Sequence, residues 1–333
     1  MDDVAVAAGV SKAAVSKVVR NAYGVSPAMR HRVESAIEDL GYRPSIAARS
    51  LRGASFTLGI EIPQLGNDFF TQVMQGAAGR LAGSGYQLVI APAMGEMKAD
   101  RLLNALIDRH VDGVIAISPD VPPEWLEHLG SEIPIVLLGR HDTSANYDTL
   151  TDDDALGTGL VMEHLFELGH EQISHITVGI TAEVPEGALP HAIRQHTYSQ
   201  AMAARGLPPR IAVTGPLEPD GYRATMELLA GANRPTALFA GNDTLAIGAL
   251  RARMELGLTA TDFSIVGYDN IDLAAHPLAS LTTVDQFGRE SGAKAVELLL
   301  ERIQQGRRDP RHVVITPVLR VRGSTLRARQ DAT

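Results

Sequence analysis

The 333-residue chain contains no cysteine, which excludes disulfides and thiolate metal sites. It has no apolar stretch long enough to span a bilayer. Its start, Met1-Asp2-Asp3, lacks the basic segment and apolar run of a secretory signal, so the expected location is the cytoplasm. Aromatic residues are few, at 5%, while 45% apolar and 21% charged residues are ordinary for a globular chain. The length calls for more than one domain.

Excess positive charge is also lacking, since the chain carries −9. That charge is unevenly spread. Eight basic and five acidic residues give the first 53 residues +3, which leaves −12 on the remainder. A basic head on an acidic body confines phosphate binding to one end.

Catalytic signatures are missing too. There is no Gly-x-Ser-x-Gly elbow and no Walker loop. His170 and His175 flank a zinc-protease-like run, but they stand five apart where one helix face needs four. Gly157-Thr158-Gly159 lacks the third glycine of a dinucleotide loop. Asp152-Asp153-Asp154 reads as a helix start rather than a metal site. Neither an enzyme nor a bound cofactor or metal is expected.

What is present begins with two short helical patterns around Gly9. Val4, Ala5 and Ala8 share a face of the first, and Gly9 supplies the left-handed residue that ends it. Ser11 caps the second. There Val15, Val18 and Val19 point inward, and Lys12, Ala13, Ser16 and Lys17 outward. This is a helix-turn-helix, whose second helix presents its outer face to a major groove. A third helix starts at Ser26-Pro27 and stops at Gly41, with Met29, Val33, Ile37 and Leu40 as its stripe. Pro44 to Gly53 then allows about two helical turns, too short to be stable alone.

From Phe56 the pattern changes to alternating strands and helices. Strands are predicted at Thr57–Ile62, Tyr86–Ala91, Gly113–Ser118, Ile135–Leu138, Gln172–Val178, Ile211–Thr214, Ala237–Ala240 and Phe263–Val266. Amphipathic helices, among them 70–81, 101–109, 160–168, 221–229 and 244–255, lie between them. Such alternation means parallel sheets covered on both faces. The strand number implies two lobes, with ligands at the carboxyl ends of the strands, in the cleft.

The run Asp3-Val4-Ala5 … Ala8-Gly9-Val10-Ser11 … Val15-Ser16-Lys17-Val18 resembles the head of LacI/GalR transcriptional repressors. The similarity continues through Arg43-Pro44-Ser45-Ile46-Ala47-Ala48-Arg49-Ser50-Leu51, Gly169-His170, Gly241-Asn242-Asp243, Val266-Gly267-Tyr268-Asp269-Asn270 and Leu281-Thr282-Thr283-Val284. It implies a small all-α helix-turn-helix head (1–44), a hinge helix (45–54) and a periplasmic-binding-protein-like α/β core (55–333) of two doubly wound parallel-sheet lobes. The N-lobe would hold about 55–152 and 286–313, the C-lobe about 153–284 and 314–327. Family members carry a few residues, including a threonine, ahead of Asp3, where this chain has Met1 and Asp2.

The resemblance implies a sequence-specific repressor that binds a near-palindromic operator as a homodimer and answers to a small effector, a sugar. The alternative is a cytoplasmic sugar receptor with a vestigial head. Lys12, Ala13 and Lys17 match base-reading positions, with Ser11, Ser16 and Asn21 beside them; lysine donates to guanine O6 and N7. Leu51 matches a hinge leucine wedged into the minor groove, and Arg49 and Arg52 would meet phosphate or the groove rim. For the effector, the resemblance points to Phe69, Phe70, Arg194, Asn242 and Asp269, with Arg140 as a further member. Arg194 keeps the family's arginine although Thr197 stands where glycine is usual. An aromatic face, a guanidinium, an amide and a carboxylate together suit a polyol.

Overall fold

The computed structural model describes residues 1–19, 22–42, 54–93, 97–179 and 188–329. Asn21, Arg49, Leu51 and Arg52, and all of the expected hinge but residue 54, lie outside the described residues. The chain divides into two compact units, Met1–Ser55 and Phe56–Thr333.

The first unit contains helices α1 (Asp2–Ala8), α2 (Lys12–Val19) and α3 (Pro27–Asp39). Gly9 takes the left-handed conformation, with φ 63°, that closes α1. Ser11 Oγ accepts the Ala14 N–H at 3.2 Å at the start of α2. Ser26 Oγ accepts the Met29 N–H at 3.3 Å at the start of α3. Val4, Ala5, Ala8, Val15, Val18, Val33 and Ala36 form the core. Leu40, expected on the α3 stripe, is exposed, and the smaller Ala36 takes the inward place.

Ser16 departs from the expected outer face, because it is buried. Each helical residue advances by about 100°. Position 16 therefore falls only ~60° from Val19 and lies on the flank of the valine stripe, where a small side chain tucks in.

The second unit holds two six-stranded sheets. The first comprises β1 (Thr57–Ile62), β2 (Gln87–Pro92), β3 (Gly113–Ile117), β4 (Ile135–Leu138), β5 (Asp148–Asp152) and β11 (His312–Ile315), in the order β11-β5-β4-β3-β1-β2. All its pairings are parallel. The second comprises β6 (Ile173–Val178), β7 (Ile211–Thr214), β8 (Ala237–Ala240), β9 (Ser264–Asp269), β10 (Thr282–Asp285) and β12 (Val318–Arg320), in the order β12-β10-β9-β8-β6-β7. Here only β12 runs antiparallel, against β10.

Helices cover both faces of each sheet. On the first, α4 (Asp68–Leu81) and α11 (Gly288–Gln305) share one core, and α5 (Ala99–Ile107) and α6 (Pro123–Glu132) the other. On the second, α9 (Glu218–Ala230) and α10 (Asp243–Glu255) lie opposite α7 (Asp154–Glu167) and α8 (Pro190–Ala204). The chain passes between the sheets after β5, β10 and β11. β5, β10, β11 and β12 are not among the strands that the apolar runs predict.

Helix pairs approach closely at glycines. A Cβ on Gly292 of α11 would overlap the Val73 carbonyl of α4, and one on Gly76 the Arg289 carbonyl. Backbone cannot yield as a flexible side chain does. Gly292→Ala is expected to destabilise the core by about 1–3 kcal/mol, read as a lower urea midpoint at unchanged m-value. An unshifted midpoint would show that the two helices separate freely. Among the described residues no helix is long and apolar enough to cross a membrane.

Candidate functional site

A cavity of about 260 Å³ opens between the carboxyl ends of the two sheets. That is small-molecule size, at the low end for ligand pockets. The first sheet and its loops contribute the apolar Pro63, Phe70, Ile117 and Leu138, with Asn67, Ser118 and Asp120 among them. The wall from the second sheet carries the polar group Arg194, Asn242, Asp269 and Gln286, beside the apolar Val178, Leu189 and Pro216.

Phe69 and Phe70 lie in the first turn of α4, where Asn67 Oδ1 accepts the Phe69 N–H at 3.0 Å. Their rings meet edge to face, with centroids 5.8 Å apart. Both line the cavity, but Phe69 is nearly buried and backs onto Gly288. Phe70 is the more accessible ring.

Arg194 sits on α8, in the turn facing the cavity. Its Nε donates to Asp154 Oδ1 at 2.6 Å and its Nη1 to the Gly241 carbonyl at 2.8 Å. The guanidinium lies 3.5 Å above the Tyr268 ring. No acceptor among the described residues takes Nη2. Asp154 also meets His141 Nε2 at 2.8 Å. Burial pushes the Asp154 carboxyl up, but Arg194 and His141 overcome it and hold the carboxyl below its ordinary range.

Asn242 follows β8 and caps α10, with Oδ1 accepting the Leu245 N–H at 2.8 Å. Its amide NH₂ remains as a donor. Asp269 ends β9 with φ 124°, a conformation side-chain-bearing residues rarely adopt. Its Oδ1 accepts from Gln286 Nε2 at 2.5 Å. Its Oδ2 is buried with no partner among the described residues. Burial, then the neighbouring Asp243 and Asp152, raise its pKa well above the usual carboxylate range, against the pull of Arg194. Burial likewise raises Asp152, which accepts from Tyr268 Oη at 2.6 Å, to about 6. This wall therefore sets one cation, Arg194, beside the amides of Asn242 and Gln286 and a carboxyl driven toward its neutral form, a mix of donors and acceptors that suits hydroxyl groups.

Arg140 does not belong to this group. It is fully buried and does not line the cavity. Its Nη1 donates to the Pro119 and Val121 carbonyls, both at 2.8 Å, and Nη2 pairs with Asp142 at 2.7 Å. The preceding Gly139 turns the chain at φ 83°, and the guanidinium is directed under the loop after β3.

Sequence reasoning missed Gln286, His191 and Asp154. Gln286 lies two residues beyond the Leu281–Val284 signature, at a strand end, which is the available signal. His191 lines the cavity, and burial followed by Arg194 pushes its pKa down to about 3, so the ring is neutral. Asp154 was hidden in the triplet where Asp153 provides the cap, accepting the Leu156 N–H at 2.9 Å.

In the first unit, Ser11 just before α2 and Lys12, Ala13 and Lys17 on it are exposed. Lys12 Nζ lies 2.9 Å from Asp2 Oδ2.

Residues 1–45 match the family described as bacterial regulatory proteins, lacI family. Residues 162–325 match a periplasmic binding protein-like domain. The chain is 33% identical to the ribose operon repressor of Escherichia coli (strain K12), over 97% of this chain and 99% of that protein. A crystal structure of the lac repressor dimer bound to operator and the anti-inducer ONPF superimposes with a TM-score of 0.81 at 28% identity, covering 97% of this chain and 98% of that one. A LacI family transcriptional regulator from Enterococcus faecium with bound ribose gives 0.72 at 27% identity, covering 82% of this chain and 100% of that one.

Proposed function

The chain belongs to the lacI family of bacterial regulatory proteins, and from that premise we propose how it works as an effector-controlled transcriptional repressor. It acts in the cytoplasm as a homodimer, and its two α2 helices read the half-sites of a near-palindromic operator. Ser11, Lys12, Ala13 and Lys17 supply the reading face, with Asn21 beside it. Lys12 and Lys17 donate to guanine edges, and Ala13 offers apolar contact or space. Leu51 wedges the minor groove, flanked by Arg49 and Arg52. It is a regulator, not an enzyme.

The effector is a small uncharged polyol, a sugar. One observation carries this reading: Asp269, whose buried Oδ2 has no partner among the described residues, lines a ligand-sized cavity together with Arg194 and Asn242. The Phe70 face covers the apolar side of a pyranose or furanose ring. The ribose-bound Enterococcus faecium neighbour supports it. The effector alters operator affinity only through unequal affinity for the two core arrangements.

Selection of duplexes from a random pool at fixed salt tests the DNA reading. A palindrome is expected to be enriched, and sugars are then screened for a change in its affinity. On that site Leu51→Ala is expected to weaken specific binding on the order of tenfold to a hundredfold, and to leave random-sequence binding nearly unchanged. An equal loss on both duplexes would remove the wedge.

A further inference from the structure

Of the two lysines on the outer face of α2, one is already engaged. Lys12 Nζ donates to Asp2 Oδ2 at 2.9 Å, joining the first residue of α2 to the first turn of α1. No carboxylate among the described residues pairs with Lys17. Both partners of the bridge are largely exposed, at 60% and 75%, so the bridge holds no core together. An exposed ion pair contributes little to the stability of the fold. Its position is informative nonetheless. Lysine at the start of a helix meets the positive end of the helix dipole, and a carboxylate beside it offsets that cost. The same carboxylate lies on a surface that must approach polyanionic DNA.

We infer that Asp2 is a specificity-determining residue that acts through Lys12, by suppressing binding to random DNA more than binding to the operator. An ammonium carries three donor protons. On a guanine edge, two go to O6 and N7 while the third stays on Asp2, so the pair persists and Asp2 remains neutralised. On random DNA, Lys12 meets only phosphate. There the Asp2–Lys12 pair presents no net charge, and one counterion-releasing contact per head is lost. Asp2 thus converts a general phosphate contact into one made only where a guanine is in reach. The inference rests on the DNA-reading role proposed for α2.

The test measures dissociation constants against salt for the selected operator and a scrambled duplex of equal length. It compares wild type, Asp2→Asn, Asp2→Glu, Lys12→Met and the Asp2→Asn/Lys12→Met double variant. All substitutions are at exposed positions, and far-UV circular dichroism checks the fold. Asp2→Asn is expected to tighten scrambled binding about three- to tenfold near 0.1 M salt, to steepen its log–log salt slope by about one per head, and to tighten operator binding less than about twofold. Asp2→Glu, which keeps the carboxylate, retains wild-type discrimination. In the Lys12→Met background, Asp2→Asn shifts both duplexes by the same factor. Equal tightening of both duplexes with Lys12 intact would overturn the inference, reducing Asp2 to a unit of net charge. No change on either duplex would overturn it as well. If wild type itself prefers no duplex, the DNA reading fails, and the inference with it.

Discussion

Asp269→Ala is expected to abolish the response to effector while leaving operator affinity unchanged. The carboxylate ends β9 in a backbone conformation with φ 124°, so the fold holds it over the cavity at a local cost. Gln286 fixes Oδ1, and Oδ2 has no protein partner among the described residues. The unmet Oδ2, in a buried setting near Asp243 and Asp152, drives the group toward its neutral form. Two ligand hydroxyls would reverse that preference by supplying the missing donors. A hydrogen bond to a charged group contributes about 1.5–3 kcal/mol, so losing one raises the effector dissociation constant ~10- to 10²-fold and losing two ~10²-fold or more. Alanine at this φ is no less strained than aspartate, and Asp269→Asn serves as the shape-preserving control. It keeps an oxygen for Gln286 but turns the other position into a donor. Titration calorimetry with the screened effector, alongside operator binding, reads both quantities. A fully responsive alanine variant would remove Asp269 from the site. The operator-binding half follows from the separate head unit, which contains none of the cavity residues.

The cavity's polar wall was legible where a motif places a residue at a strand end. Asn242 and Asp269 follow β8 and end β9, and side chains there point into a cleft. Arg140 shows the limit of that rule. It too follows a strand, but the positive φ of Gly139 redirects it into a buried pair with Asp142. A turn's handedness is not visible in residue types alone. The Asp154–Arg194 pair joins residues 40 apart in sequence, and nothing local announces it.

The head and most strands were read from caps and apolar runs, which are local signals. β5 was not, since its sequence Asp-Thr-Leu-Thr-Asp looks like a loop. It is nonetheless fully buried, because its polar groups find partners from distant segments. Asp148 accepts from Arg302 Nε at 3.1 Å and Arg307 Nη1 at 3.0 Å, and Thr149 meets His312 at 2.8 Å. A strand stabilised by long-range polar pairing has no apolar periodicity to read. Ser16 failed for a subtler reason: it lies at the flank of the α2 stripe, where the boundary between faces depends on how closely α1 and α3 approach.

Glu61 gives the second large expected effect, a pH dependence of stability that a single substitution removes. It occupies the fifth position of β1, between Ile60 and Ile62, and is 1% exposed. Oε2 accepts the Ile117 N–H at 3.1 Å, and Oε1 is buried with no partner among the described residues. Burial raises its pKa from an ordinary 4.5 to about 8 despite that hydrogen bond. The folded protein therefore keeps a proton that the unfolded chain releases between pH 4.5 and 8. Where the native state binds more protons, stability falls as pH rises, by up to about 1.4 kcal/mol per unit for one group. The contribution is fully present below about pH 4.5, declines across that interval and levels off above about pH 8. Glu61→Gln keeps the shape and cannot ionise. It is expected to match wild type within about 1 kcal/mol near pH 4.5, and to exceed it by roughly 3–4 kcal/mol near pH 8. Other buried carboxyls, Asp152 and Asp243 among them, add slopes of the same sign, but they are common to both proteins and cancel in the difference. Urea unfolding of the core at half-unit pH steps measures that difference. Parallel curves for the two proteins would mean that Glu61 is ionised in the folded state, with a cation or water supplying the missing partner for Oε1.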